Sequence, residues 1–103
     1  MPNRISCPAE SRTFAAAMIA EQLRPALASG EDIVIDLSAV ESADLGLVQV
    51  IEAARISARL EGCTITLAGP APAAVTSVLD RSGVLWAEEP ADLSFWHHQG
   101  EAA

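Results

Sequence analysis

The chain has 103 residues, 50% of them hydrophobic, and its 14 acidic side chains against 6 basic ones give a formal net charge of -8. This length supports one modest hydrophobic core and excludes two, so we expect a single domain over residues 1–103. The acidic balance argues against binding to nucleic acid or to anionic membranes. Since the sequence has neither a membrane-spanning apolar run nor a secretory signal, it predicts a cytoplasmic protein that does not insert into a membrane.

The first predicted elements are a short edge strand at residues 5–7 and a helix that follows it. Ser11 or Thr13 is expected to cap the start of this helix, and Gly30 is expected to end it. Pro25 should kink the helix or end its regular stretch near Arg24, because proline lacks the N–H that a helix interior uses. The apolar stripe of the helix is predicted to consist of Phe14, Met18, Ile19, Leu23 and Leu27.

A buried strand is predicted at residues 32–36, where β-branched side chains form a short apolar run. The helix after it has the clearest pattern in the chain, with Asp44 as its expected N-cap and Gly62 as its expected C-cap. Its polar side chains lie largely outside the apolar face. The apolar face is predicted to contain Leu47, Val48, Ile51, Ala54, Ala58 and Leu60.

The last third of the chain predicts a strand at residues 63–68, a break at 69–72 and a third helix over 72–83. A final short strand is predicted at residues 84–86, and residues 87–103 form a tail. The third helix is expected to bury Val75, Val78 and Leu79. The apolar side chains of the tail, which either cover a sheet edge or enter a partner's groove, are Leu93, Phe95 and Trp96.

This order of elements predicts an α/β fold, with about four strands in a mostly parallel or mixed sheet and helices packed against it. Three helices cannot cover both faces of such a sheet evenly, so one face is expected to stay partly open. The core of the domain should span residues 4–86. The side chains expected in it include Phe14, Ile19, Val34, Ile51, Ile65, Leu67, Val78 and Leu79.

Residues that could carry catalysis or hold a metal are scarce. The sequence contains neither a glycine-rich phosphate loop nor a Gly-x-Ser-x-Gly elbow, and its two histidines are adjacent, so their side chains diverge and chelate poorly. Three acids near a strand end are interpreted as a strand end and a helix start, and both cysteines as small buried residues. We therefore expect no catalytic residue, metal or cofactor. The candidates set aside are His97, His98, Asp36, Glu41, Asp44, Cys7 and Cys63.

Residues 36–51 resemble the STAS domain, the family of anti-sigma factor antagonists and sulphate-transporter tails. In that family a strand ends in an Asp-Leu-Ser-x-Val phrase, and an Asp-Ser-Ser-Gly-Leu phrase opens the next helix. Asp44 stands at the spacing expected for the second phrase, and the likeness extends over about residues 4–86. The first phrase is matched by Asp36, Leu37, Ser38 and Val40.

The second phrase departs from the family pattern. Leu45 stands where the family has its first serine, and Gly46 stands where it has the serine that a cognate kinase phosphorylates. The resemblance implies that this phosphate dissociates the partner, so a chain with Gly46 cannot be switched at that position. Ser42, in the preceding loop, is the one candidate for a displaced phosphosite, although an ordinary loop serine is the simpler interpretation.

The resemblance implies a regulator that binds a protein partner, either a kinase-like anti-sigma factor or a sensory histidine kinase of a chemotaxis or two-component pathway. Small members of the latter kind are similar in having a glutamine between apolar residues, as Gln49 is here. The contact surface is expected at the start of the second helix and the loop at 39–43. Its predicted residues are Ser42, Asp44, Leu45, Gly46 and Gln49.

Two other functions stay open at this point. One is the cytoplasmic accessory subunit of a phospholipid-trafficking ABC transporter, a group that normally keeps a threonine where this chain has Gly46. The other is a module that binds a small molecule or nucleotide. The sequence shows no basic residue near the site that could neutralise phosphates, which argues against this function. The oligomeric state is not indicated by the sequence.

Overall fold

The computed structural model describes residues 3–82 and 95–96, so the predicted strand at 84–86 and the tail residue Leu93 lie outside the described residues. No helix in the described residues is both long enough and apolar enough to cross a membrane. The elements in chain order are β1 (Asn3–Ser6), β2 (Glu10–Ser11), α1 (Thr13–Ser29), β3 (Ile33–Asp36), β4 (Ser42–Ala43), α2 (Leu45–Glu61), β5 (Ile65–Leu67) and α3 (Ala73–Ser82).

The main sheet has the order β1-β3-β5, and both of its strand pairs are parallel. Parallel neighbours need a crossover connection, which α1 supplies between β1 and β3 and α2 supplies between β3 and β5. A second, two-stranded sheet pairs β2 with β4, also in parallel. The predicted α/β class with a mostly parallel sheet is confirmed. Strands of two residues are too short to show an alternating pattern, which is why β2 and β4 were not predicted.

The core lies between one face of the main sheet and the helices. Ile33 and Ile35 of β3 are 1% and 0% exposed, whereas Val34 between them is only half-buried. The prediction of Val34 as a core residue is wrong, because successive side chains of a strand point to opposite faces. In register beside Val34 stand the exposed Arg4 and Thr66, so the second face of the described sheet is partly open, as expected.

Helix α1 continues through Pro25 to its C-cap at Gly30, which has the left-handed φ of 74°. Of the two expected effects of the proline, an end of the helix near Arg24 is therefore wrong. Pro25 and Glu21, whose carbonyl loses its N–H partner there, are both exposed. Water can therefore take the place of the missing hydrogen bond.

Most residues of the two expected stripes are buried, and one residue of each helix is a clear exception. Met18 of α1 is 58% exposed and Leu60 of α2 is 82% exposed, although both were placed on apolar stripes. Alanines occupy the positions that face the neighbouring helix, since small side chains allow α1 and α2 to approach closely. The side chain of Phe14 lies outside the described residues. The residues that α1 and α2 bury are Ala16, Ile19, Leu23, Ala26, Leu47, Val48, Ile51, Ala54 and Ala58.

Two tail residues pack on the domain itself. Trp96 is fully buried; its Nε1 donates a hydrogen bond of 2.9 Å to Glu52 Oε1, and its carbonyl accepts one of 2.7 Å from the Ala71 N–H. The Phe95 ring meets the Trp96 ring edge-on at 5.0 Å, and the Arg55 guanidinium lies 4.3 Å from the Phe95 ring centre. Phe95 and Trp96 therefore pack against α2 and the segment after β5 of their own domain.

Candidate functional site

The turn after β3 is organised by the carboxylate of Asp36. It accepts hydrogen bonds from the Ser38 hydroxyl at 2.6 Å, from the Ser38 N–H at 2.9 Å and from the Arg4 guanidinium at 2.7 Å. These donors, the Ser38 hydroxyl first, lower the pKa of Asp36 to about 2 from an ordinary value of 3.8. Asp36 is therefore a structural anchor for the loop that leads to α2.

Acid should remove this anchor over a defined pH range. A carboxyl group with a lowered pKa stabilises the fold above its ordinary value of 3.8, and this stability is lost as the pH falls towards about 2. We expect Asp36→Asn to be less stable than the natural chain at pH 7, with the difference shrinking between pH 4 and pH 2. Urea unfolding across this range measures it, with Asp80→Asn on an exposed position as the control. A difference that is independent of pH would contradict the assignment.

The small β2–β4 sheet brings the start of α1 beside the start of α2. The carbonyl of Ala9 accepts the N–H groups of Glu41 and Ser42 at 2.8 and 2.9 Å. Ser11 is fully buried, and its hydroxyl donates to the Pro8 carbonyl at 2.6 Å. The expectation that Ser11 or Thr13 occupies the N-cap of α1 is wrong. The N-cap position is occupied by Arg12, without a side-chain cap.

A basic residue stands at the site, contrary to expectation. Arg12 forms an ion pair with Glu10 at 2.6 Å, and its side chain is 64% exposed. The hydrogen bond to Glu10 raises the pKa of Arg12 most, and the charge of Asp44 raises it further. Arg12 and Asp44 are distant in the sequence and become neighbours only through the pairing of β2 with β4.

The start of α2 gathers all five residues predicted for partner contact. Asp44 occupies the N-cap with an extended backbone, but its side chain makes no capping hydrogen bond, which corrects the expected role. Leu45 is 41% exposed, Gln49 one turn later is exposed, and Ser42 and Gly46 are half-buried. Gly46 does not have a positive φ, so its backbone suits an ordinary helix.

The remaining polar candidates do not assemble into a reactive centre. No group of three or more His, Cys, Asp or Glu side chains is placed to hold a metal within residues 3–82 and 95–96. Burial, and secondarily the charge of Asp36, raises the pKa of the Cys7 thiol to about 11, so the thiol stays protonated at neutral pH. Cys63 is only half-buried, which corrects its predicted full burial. His97 and His98 lie outside the described residues.

A protein-family model described as "Mlab, STAS domain" matches residues 12–85, well over half of the chain. This chain belongs to the STAS domain family. No curated protein matches it. Membership brings the general STAS role, which is regulation through binding and generally not catalysis. In this STAS domain Leu45 and Gly46 replace the two hydroxyl residues of the family phrase on the first turn of α2.

Sequence reasoning missed two groups that shape the site. The Glu10–Arg12 pair forms a charged rim beside Asp44, and nothing in the local pattern signals it. Glu52 and Arg55, joined at 2.9 Å, hold the tail on the same helix that begins at the site. A tryptophan after a polar stretch was the one signal in the sequence for the second group.

Proposed function

We propose that this STAS domain is a non-catalytic regulator that binds a protein partner through the start of α2. The partner is a kinase-like anti-sigma factor or a sensory histidine kinase. The observation that carries the proposal is Leu45, a large apolar side chain that is 41% exposed on the first turn, directly beside a glycine. The exposed part of the Leu45 side chain gains nothing from its own domain, whereas a partner that covers it removes apolar surface from water.

The surroundings of Leu45 suit a small protein interface. An apolar centre with a polar rim is the usual arrangement, and here the rim consists of Asp44, Gln49 and the Glu10–Arg12 pair. Gly46 has no side chain, so a partner's backbone or side chain can approach the first turn closely. Since the chain carries a net charge of -8, basic groups on the partner would favour association.

Gly46 has no hydroxyl that a kinase could phosphorylate, so binding to the partner is not switched off at this position. We expect incubation with a cognate switch-type kinase and ATP to leave Leu45 and Gly46 unmodified and the affinity for the partner unchanged. Intact mass and calorimetry before and after treatment measure both. Gly46→Ser is the matched variant, which should accept phosphate and then lose the partner, because the added charge enters the interface. Phosphate on Ser42 accompanied by loss of binding would contradict the expectation that the domain is not switched by phosphorylation.

The second candidate is an accessory subunit of a phospholipid-trafficking ABC transporter. The matched family model, whose description names Mlab, keeps this candidate in view. Gly46 counts against it, because that group normally keeps a threonine at this position. Binding assays with purified transporter ATPase and with sensory kinase, in parallel, distinguish the two candidates. Affinity for the ATPase alone would favour the subunit role.

A further inference from the structure

Helix α2 exposes an apolar stripe that runs far beyond the proposed partner site. In the described residues four large hydrophobic side chains are exposed, and three of them belong to α2: Leu45 at 41%, Ile56 at 55% and Leu60 at 82%. At 3.6 residues per turn these three positions fall within about 60° of one another around the helix. The face is interrupted by the polar side chains of Gln49 and Glu52. Exposed apolar side chains that share one helix face are typical of an interaction surface.

A groove between α1 and α2 borders this stripe. Its volume is about 320 Å³, large enough to receive an aliphatic side chain. Ala53 is exposed and lies next to the stripe on the helix surface, so the stripe and the groove form one continuous surface. Arg24 is the one charged residue that lines the groove, and its guanidinium is paired with Glu21. The other lining residues are small or aliphatic: Ala20, Leu23, Leu27, Val50, Ala53, Ala54 and Ser57.

The midpoint between Leu45 and Leu60 lies halfway along α2. Leu45 and Leu60 are equally far from that midpoint, and so are Gln49 and Ile56. A second α2 helix laid antiparallel on the first would set Leu45 of each copy against Leu60 of the other. A two-fold interface uses the same patch on both copies, and this patch carries both a protruding side chain and a groove.

We infer that this face of α2 is the contact surface of a two-fold symmetric homodimer, in which the α2 helices pack antiparallel and Ile56 of each copy faces the groove of the other. Charge supports the antiparallel direction. In the antiparallel arrangement Arg59, near the end of one α2, lies on the same side as Asp44 at the start of the other α2. The two helix dipoles then point in opposite directions, which is favourable. A parallel pairing would instead bring equal charges and equal dipole ends together.

One acidic side chain lies near the midpoint of the stripe, where the two copies would come closest. The carboxylate of Glu52 is already paired with the Arg55 guanidinium at 2.9 Å and accepts the Trp96 Nε1–H, also at 2.9 Å. Its charge is therefore compensated within each copy. The midpoint of the interface does not bring two unpaired carboxylates together.

The size of the surface sets the strength of the dimer. The 17 residues of α2 span roughly 25 Å, so a contact along one face of this helix is small. About 1,000 Å² in total is at the lower limit for a specific interface. Each copy also carries a net charge of -8, and the copies repel each other. The dimer is therefore weak and depends on protein concentration.

Dimer formation buries Leu45 and Gln49, so it competes with the partner of the proposed function. Self-association needs no partner, and it is tested on the purified chain alone. Failure of the dimer would leave the proposed partner site untouched. Failure of partner binding would likewise leave the dimer untouched.

The test is sedimentation velocity of the full chain from roughly 1 to 500 µM, in enough salt to screen the net charge. The average mass should rise from 10.8 kDa towards twice that value. Ile56→Lys should weaken the dimer at least tenfold, because a charge would replace the side chain that faces the groove. It lowers the net negative charge, so added repulsion cannot explain the loss.

Met18→Lys is the matched control, since Met18 is 58% exposed on α1 away from this face and the charge change is the same. It should leave the dimer intact, while Leu60→Lys should behave like Ile56→Lys. Circular dichroism establishes that all variants are folded. A natural chain that stays monomeric at every concentration overturns the inference. A dimer that survives Ile56→Lys and Leu60→Lys, or that Met18→Lys weakens equally, also overturns it.

Discussion

Replacing Trp96 with alanine is expected to lower the free energy of unfolding by about 3–5 kcal/mol. The side chain is fully buried, and its Nε1 donates to Glu52, so the change leaves a large cavity and removes a hydrogen bond. A domain of this size has a total stability of roughly 5–15 kcal/mol, so the loss would be a large fraction of it. Urea unfolding followed by far-ultraviolet circular dichroism measures the effect.

Two further variants show where the stability comes from. Leu60→Ala, at a side chain that is 82% exposed, should change the free energy of unfolding by less than about 0.5 kcal/mol. Trp96→Phe keeps most of the ring volume but removes the N–H group, so it should cost about 1–3 kcal/mol. If Trp96→Ala costs no more than Leu60→Ala, the packing of Phe95 and Trp96 on α2 is wrong.

Gly46→Asp is expected to weaken binding to the protein partner tenfold or more, which corresponds to about 1.4 kcal/mol. The carboxylate would stand where the family carries its phosphate, and a partner shaped for glycine would have to desolvate it. The fold should tolerate the change. Gly46 has an ordinary helical backbone, an acid in the first turn interacts favourably with the helix dipole, and loss of glycine reduces the entropy of the unfolded chain.

The control for this variant is Gln22→Glu, which introduces the same charge at an exposed position of α1, outside the α2 start. Thermal unfolding and partner affinity are to be measured for both variants side by side. If the folded Gly46→Asp protein binds as well as the natural chain, the start of α2 is not the contact surface.

These two predictions concern different turns of one helix. Leu45 is exposed on the first turn of α2, where we propose that a partner binds, while Glu52 and Arg55 in the middle of the helix contact Trp96 and Phe95.

Local pattern was enough to predict most elements and the candidate surface. Gly30 and Gly62 end the two long helices where expected. Their φ values of 74° and 77° are left-handed, and glycine adopts this conformation most readily because it has no Cβ. A β-branched apolar run identified β3, and alternation of apolar and polar residues identified β5. The five predicted contact residues stand within eight positions of one another, so a helix start at Asp44 was enough to place them together.

Only the tertiary structure decided which distant residues meet. Arg12 reaches Asp44 through the pairing of two-residue strands, and Trp96 reaches Glu52 across 44 positions of sequence. The orientation of α1 likewise came from packing, since alanines rather than Met18 face α2. Periodicity reports the spacing of side chains along one element. Which face turns inward, and what covers it, depends on the shape of neighbouring elements, which the spacing does not contain.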